Sequence, residues 1–178
     1  MGGALARSLC CECELQPQPG SLYYSLYYTT MSFTITTLYS DWFNRCVGSW
    51  ESHRRYLMGP KKSIDNLVTC FNIEKRADDE WAILWKSDRN EGEMGIILDE
   101  TEGVIKRSRN YFEGGEGTVT RLERVDQDTV VFYSSYGGAD YREEIRFLGN
   151  DFRLRQTVGY KTGTDKIIVV GQYAEYKV

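Results

Sequence analysis

Arg142-Glu143-Glu144-Ile145-Arg146-Phe147, then Gly149-Asn150-Asp151, then Phe152-Arg153-Leu154-Arg155-Gln156-Thr157 is the stretch that decides the fold. Two runs that alternate charged and apolar side chains, joined by turn-forming residues, read as the arms of a β-hairpin. Successive side chains on a strand point to opposite faces. Arg153, Arg155 and Thr157 therefore share one face, and Phe152 and Leu154 the other. Tyr141, Glu143, Ile145 and Phe147 likewise share a face, which sets Glu143 near Arg153 or Arg155 across the ladder. In a simple sheet Phe152 and Leu154 face the core and the arginines face water, and this is the arrangement the sequence favours. If the arginines point inward instead, each needs a partner, because an unpaired buried guanidinium is strongly unfavourable. Two inward arginines at that spacing suit a ligand bearing carboxylates, gripped by charge-assisted forks.

Working outward, the same grammar repeats. Segments rich in Val, Ile, Thr, Tyr and Trp predict strands near 49–57, 65–76, 80–87, 92–99, 103–110, 116–124, 128–135, 139–148, 151–160 and 166–177. They are separated by turn chemistry at Gly59-Pro60, Asp78-Asp79, Arg89-Asn90-Glu91-Gly92, Gly114-Gly115, Asp126-Gln127-Asp128, Gly137-Gly138 and Thr162-Gly163-Thr164-Asp165. Before them, Leu38, Trp42, Phe43, Cys46 and Val47 fall on one face of a short helix, with Ser40 or Asp41 as N-cap and Gly48 at its end. The expected fold is all-β: an up-and-down antiparallel β-barrel of about ten strands with a short N-terminal helix. Closure removes the exposed edges that so wide an open sheet would have to protect. Several strands are polar on both faces, and thirteen tyrosines and four tryptophans are available to line a wet interior.

Composition narrows the function classes. The chain has 178 residues and no apolar run long enough to span a membrane, so one domain with a tail is expected: residues 1–31 as a disordered tail or targeting remnant, 32–178 as the barrel. A net charge of −4 argues against nucleic acid as partner. The single histidine, His53, falls among exposed strand positions, rules out multi-histidine metal sites and leaves a Ser-His-Asp triad one weak candidate. Cys10, Cys11 and Cys13 cluster in the tail, and Cys46 and Cys70 stand alone, so neither a disulfide framework nor a zinc site is expected.

The helix, then Gly48-Ser49-Trp50-Glu51-Ser52-His53-Arg54, then Trp85 leading into Gly95-Ile96-Ile97-Leu98, and Glu143 followed ten and twelve positions later by Arg153 and Arg155 resemble the S-type phycobiliprotein lyases, the CpcS/CpeS family, over roughly residues 38–178. The resemblance implies a lipocalin-like, fatty-acid-binding-protein-like barrel. It would hold a phycobilin, an open-chain tetrapyrrole such as phycoerythrobilin, and deliver it to a cysteine of an apo-phycobiliprotein subunit. The thioether would use the acceptor's thiol, leaving Cys46 and Cys70 as packing residues. Glu143 and Arg153 become the expected catalytic residues. Arg54, Arg155, Thr157, Trp50, Trp85 and Met94 become ligand-binding residues, with no metal and no prosthetic group. A homodimer and an algal plastid location, or alternatively a cyanobacterial cytoplasm, are implied on the same ground. Glu144 and the run Arg54-Arg55-Tyr56-Leu57 depart from the family pattern. The competing expectation from another class is a non-enzymatic carrier of a small lipophilic carboxylate, and a barrel filled by its own side chains is the third.

Overall fold

The computed structural model describes residues 38–58, 63–87, 91–107 and 117–178. The expected tail, the turns at Gly59-Pro60 and Gly114-Gly115, and most of the turn at Arg89-Asn90 lie outside the described residues. Helix α1 (Tyr39–Cys46) is followed by β1 (Gly48–Met58), β2 (Ser63–Lys75), β3 (Glu80–Ser87), β4 (Glu91–Asp99) and β5 (Val104–Arg107). Then come β6 (Val119–Arg124), β7 (Thr129–Tyr136), β8 (Ala139–Phe147), β9 (Phe152–Lys161) and β10 (Ile167–Lys177). Each strand pairs antiparallel with its sequence neighbours, and β1 closes on β10 to complete a barrel. The strand-by-strand expectation therefore holds, with residues 108–110 of the expected fifth strand outside the described residues.

Helix α1 closes one end. Trp42, Phe43 and Cys46 form its buried stripe and pack into a cluster with Trp50, Trp81, Phe132 and Phe147. Edge-to-face contacts of 5.4 Å between Trp42 and Phe43 and 5.5 Å between Trp42 and Phe147 fit the preferred geometry of aromatic rings. The polar tips are satisfied: Trp42 Nε1 donates to the Asp128 carbonyl at 3.2 Å and Trp50 Nε1 to that of Cys46 at 2.8 Å. Each fully buried phenylalanine here contributes about 1.5–3 kcal/mol.

The cap of α1 differs from expectation. Leu38 occupies the N-cap position without a capping side chain, and Ser40 and Asp41 lie inside the first turn. The free N–H groups of Tyr39 and Ser40 donate instead to the Glu100 carboxylate, 61 and 60 residues away in sequence. Local spacing carries no trace of a cap supplied by a distant turn. At the other end Gly48 begins β1 with φ +126°, where a Cβ would meet the Lys177 side chain at 2.6 Å.

The larger correction concerns β9. Arg153 is 3% exposed and faces the interior, whereas Leu154 is 42% exposed on the outside. Phe152 lies against Tyr176 with ring centroids 4.9 Å apart. The favoured sequence reading, apolar side in, is reversed because the arginines find carboxylates within, while Phe152 packs on Tyr176 and Leu154 is left exposed outside.

Candidate functional site

A cavity of about 530 Å³ runs inside the barrel from α1 to the opposite rim. Closure of the barrel sets its polar groups in hydrogen-bonded rows. Ser52 pairs with Glu175, which pairs with Arg153; Arg54 pairs with Tyr173, which pairs with Arg155; Tyr56, Gly171, Thr157 and Glu143 form the next row toward the rim. Period-two alternation turns all of these inward.

The first row is locked. Arg153 Nε donates to Glu175 Oε2 at 2.6 Å, Ser52 Oγ donates to Glu175 Oε1 at 3.0 Å, and Arg54 Nε donates to Ser52 Oγ at 3.0 Å. The Arg153 guanidinium lies 4.4 Å from the centroid of the Trp50 ring. Burial pushes the Glu175 carboxyl up, but Arg153, then Arg155 and Arg54, outweigh it and hold the group below the usual carboxylate range.

The second set is more open. Arg155 Nη2 donates to Glu143 Oε2 at 2.6 Å, and Thr157 Oγ1 donates to the same oxygen at 2.9 Å. Arg155 and Glu143 retain 22% and 18% side-chain exposure and line the cavity. Tyr173 lies beneath the Arg155 guanidinium at 5.0 Å. Burial raises the Tyr173 phenol above its ordinary range, so it stays a neutral hydroxyl.

Toward the rim, aromatic rings lie flat over glycines. A Cβ on Gly92 would meet Trp85 Cζ2 at 2.4 Å, one on Gly159 would meet Tyr141 Cε1 at 2.9 Å, and one on Gly171 would meet the Tyr173 hydroxyl at 2.5 Å. Trp85, Tyr141 and Tyr173 all line the cavity. These missing side chains let the rings sit back against the wall, which keeps the bore wide.

Of the expected site residues, Glu143, Arg153, Arg54, Arg155, Thr157, Trp85 and Met94 all line this one cavity. Trp50 does not; it is fully buried behind Arg153 as its platform. Sequence reasoning missed Glu175, Ser52, Tyr173 and Arg107. Glu175 was accessible in principle, because period-two counting from an inward Tyr173 turns it inward too. His53 is exposed on the outer face, where it meets Glu51 at 2.6 Å. Cys46 is buried, and burial pushes its thiol up to about 11. Cys70 is exposed, which corrects its expected packing role. Among the described residues no cluster of His, Cys, Asp and Glu could hold a metal ion, and no helix is long and apolar enough to cross a membrane.

No family model matches the chain. It is 23% identical over 164 residues to a Nostoc protein provisionally named phycocyanobilin lyase CpcS 2, a match spanning 78% of this chain and 89% of that protein. It is 24% identical over 162 residues to a Picosynechococcus protein provisionally named chromophore lyase CpcV, spanning 76% and 79% respectively. The S-type phycobiliprotein lyase structure from Guillardia theta superposes with a TM-score of 0.64 at 18% identity, covering 80% of this chain and 94% of that one. The chain is a ten-stranded lipocalin-like barrel related, distantly, to the S-type bilin lyases.

Proposed function

We propose that this barrel binds a phycobilin, with phycoerythrobilin as the first candidate, and transfers it to a cysteine of an apo-phycobiliprotein subunit. The carrying observation is the Glu143 carboxylate, held by Arg155 and Thr157 on the wall of a cavity where arginines are in excess. Among the described residues, Arg54, Arg107, Arg153 and Arg155 line the cavity against Glu143. Glu175 lies behind Arg153, and Asp65 takes an inward register beside Tyr56. Four cations thus outnumber three carboxylates, and a ligand bearing carboxylates restores the balance.

Arg153 and Arg155 receive ligand carboxylates, with Arg54 beside them. Glu143 accepts hydrogen bonds from pyrrole N–H groups and stabilises the protonated chromophore. Protonation draws electron density from the exocyclic ethylidene of the terminal ring. The acceptor's thiol sulfur then bonds to that carbon, and its proton ends on the ring system, with no leaving group. The barrel supplies no nucleophile in this scheme. The buried, high-pKa Cys46 thiol and the outward Cys70 both suit that division of labour. Trp85 and Met94 supply apolar walls. The setting for this chemistry is an algal plastid or a cyanobacterial cytoplasm, wherever phycobilins are made.

The test is to add phycoerythrobilin to the purified full chain, record the visible spectrum, then add an apo-phycobiliprotein subunit and look for pigment that survives denaturation. A red-shifted bound spectrum followed by covalent colour on the subunit is the expected result. Binding without acceptor-dependent colour, across several subunits, makes the protein a carrier, a reading the same cavity also serves. An unchanged spectrum removes the tetrapyrrole from both.

A further inference from the structure

Arg107 differs from the other three arginines of the cavity. Arg153 is bound to Glu175, Arg155 to Glu143, and Arg54 to Ser52. Arg107 ends β5 at the rim, on the arc of the barrel away from β9, and lines the same cavity. Its Nε is buried and has no hydrogen-bond acceptor among the described residues. Its one ring contact among the described residues is Tyr136, 5.7 Å from the guanidinium carbon. An aromatic face attracts a cation but leaves the planar N–H donors unused. A guanidinium drawn into a largely apolar mouth without a carboxylate is costly, and the cost is relieved once an anion fills its fork.

The surroundings favour an anion that belongs to a conjugated ligand. Tyr136 stacks on Tyr141 with centroids 4.4 Å apart and planes 18° from parallel, giving Arg107 a flat aromatic neighbour inside the mouth. Tyr136 and Tyr141 line the same cavity as Arg107 and the Arg155–Glu143 pair. A ligand lying along this wall would meet cations at both ends of the stacked pair.

We propose that Arg107 is a second carboxylate anchor at the rim, distinct from the Arg54, Arg153 and Arg155 group, so that the barrel selects a ligand with carboxylates on two separate arms. For a tetrapyrrole diacid this rests on the function proposed above and fixes an orientation: one arm is held deep beside β9, the other at the mouth beside β5. The deep arm is immobilised, and the rim arm releases first when the ligand leaves.

The experiment titrates biliverdin and its dimethyl ester into the full chain, as wild type, Arg107→Met and Arg107→Lys, following visible absorbance and tryptophan fluorescence. Far-UV circular dichroism checks the fold of each. Arg107→Met is expected to weaken the diacid by about ten- to a hundredfold while leaving the diester unchanged. Arg107→Lys, which keeps charge and loses the fork, is expected between the two, and it carries the same comparison if the Met variant fails to fold. Equal diacid affinity in wild type and either folded variant overturns the proposal. If the wild type binds neither tetrapyrrole, the proposed function fails instead. Arg107 is then judged by whether wild type prefers hexadecanedioic acid over palmitic acid in displacement of 1-anilinonaphthalene-8-sulfonate. Loss of that preference in Arg107→Met supports the anchor, and its absence in wild type or persistence in the variant overturns it.

Discussion

Arg153 and Arg155 stand two residues apart on β9, face the same interior, and each holds a glutamate at 2.6 Å. Their partners come from opposite sides: Glu175 from β10, the strand that closes the barrel on β1, and Glu143 from β8, the hairpin partner. The inner pair is 3% and 0% exposed and is completed by Ser52 and the Trp50 ring. The outer pair is 22% and 18% exposed and borders open cavity. Depth therefore divides one chemical motif into two uses. The inner pair has no remaining oxygen to offer a ligand, because both Glu175 oxygens are occupied. In the outer pair both donors meet Glu143 Oε2, and among the described residues none is recorded on Oε1.

The greatest effect is expected where that division is broken from the inside. Glu175→Ala leaves Arg153 buried without its carboxylate and is expected to cost about 3–5 kcal/mol in urea unfolding. Glu143→Gln should cost about 1 kcal/mol or less, since Arg155 and Thr157 keep an oxygen to donate to. Its effect lies in transfer, which is expected to fall about a hundredfold or more. Equal stability losses in the two variants would erase the distinction between a carboxylate that holds the fold, Glu175, and one that serves the cavity, Glu143.

Acid sharpens the same comparison with a smaller effect. The folded pKa of Glu175 is depressed, so its ionised form stabilises the fold fully above the unfolded value of 4.5. That contribution is lost as pH falls below the unfolded value and through the lower folded one. Wild-type stability should therefore fall as the pH drops below the unfolded value of 4.5, with a shallower fall in Glu175→Gln measured by thermal unfolding over the acid range. An unchanged slope would show that other carboxylates, such as Asp126, carry the acid limb.

How far the sequence foretold this arrangement follows from the same two pairs. Turn residues and β-branched segments placed the ten strands, because these are local signals. The Glu143 and Arg155 pairing is also local, twelve residues apart across one hairpin, and its spacing placed the two side chains in reach. The inner pair depends on closure: Glu175 meets Arg153 and Ser52 only through the β1–β10 and β9–β10 registers. Within its own strand, Tyr173-Ala174-Glu175-Tyr176-Lys177 reads as an acid on either face. The reversal of Phe152 and Leu154 has the same origin, since apolar alternation names two faces without saying which is inside. Glu100 capping α1 is a third case of a partner supplied by the fold.

The bore of the cavity offers a further contrast between wall and ligand. Gly92→Ala sets a Cβ 2.4 Å from the Trp85 ring and should drive that ring into the cavity, weakening tetrapyrrole binding roughly tenfold with about 1–2 kcal/mol of destabilisation. The same substitution in a Trp85→Ala background should leave affinity unchanged, because nothing remains to be displaced. A double-mutant cycle on ligand binding reads the coupling directly. An additive result would mean that Gly92 acts through the backbone and that ring position does not set the bore.

The smallest effect concerns the two cysteines of the barrel, and it tests the assignment of the nucleophile to the acceptor. Cys46, the last residue of α1, is buried with its thiol raised to about 11, while Cys70 is exposed on the outer face. In a variant whose tail cysteines, Cys10, Cys11 and Cys13, are replaced by serine, iodoacetamide at neutral pH should modify one thiol. Cys70→Ser should abolish that reaction until the protein is unfolded. Because Cys46 borders the cavity only at its closed end and burial keeps its thiol protonated, Cys46→Ala should leave chromophore transfer intact while costing about 1 kcal/mol of packing. A Cys46→Ala protein that binds the pigment but no longer passes it on would place a covalent intermediate on this chain, and the assignment of the nucleophile to the acceptor would have to be abandoned.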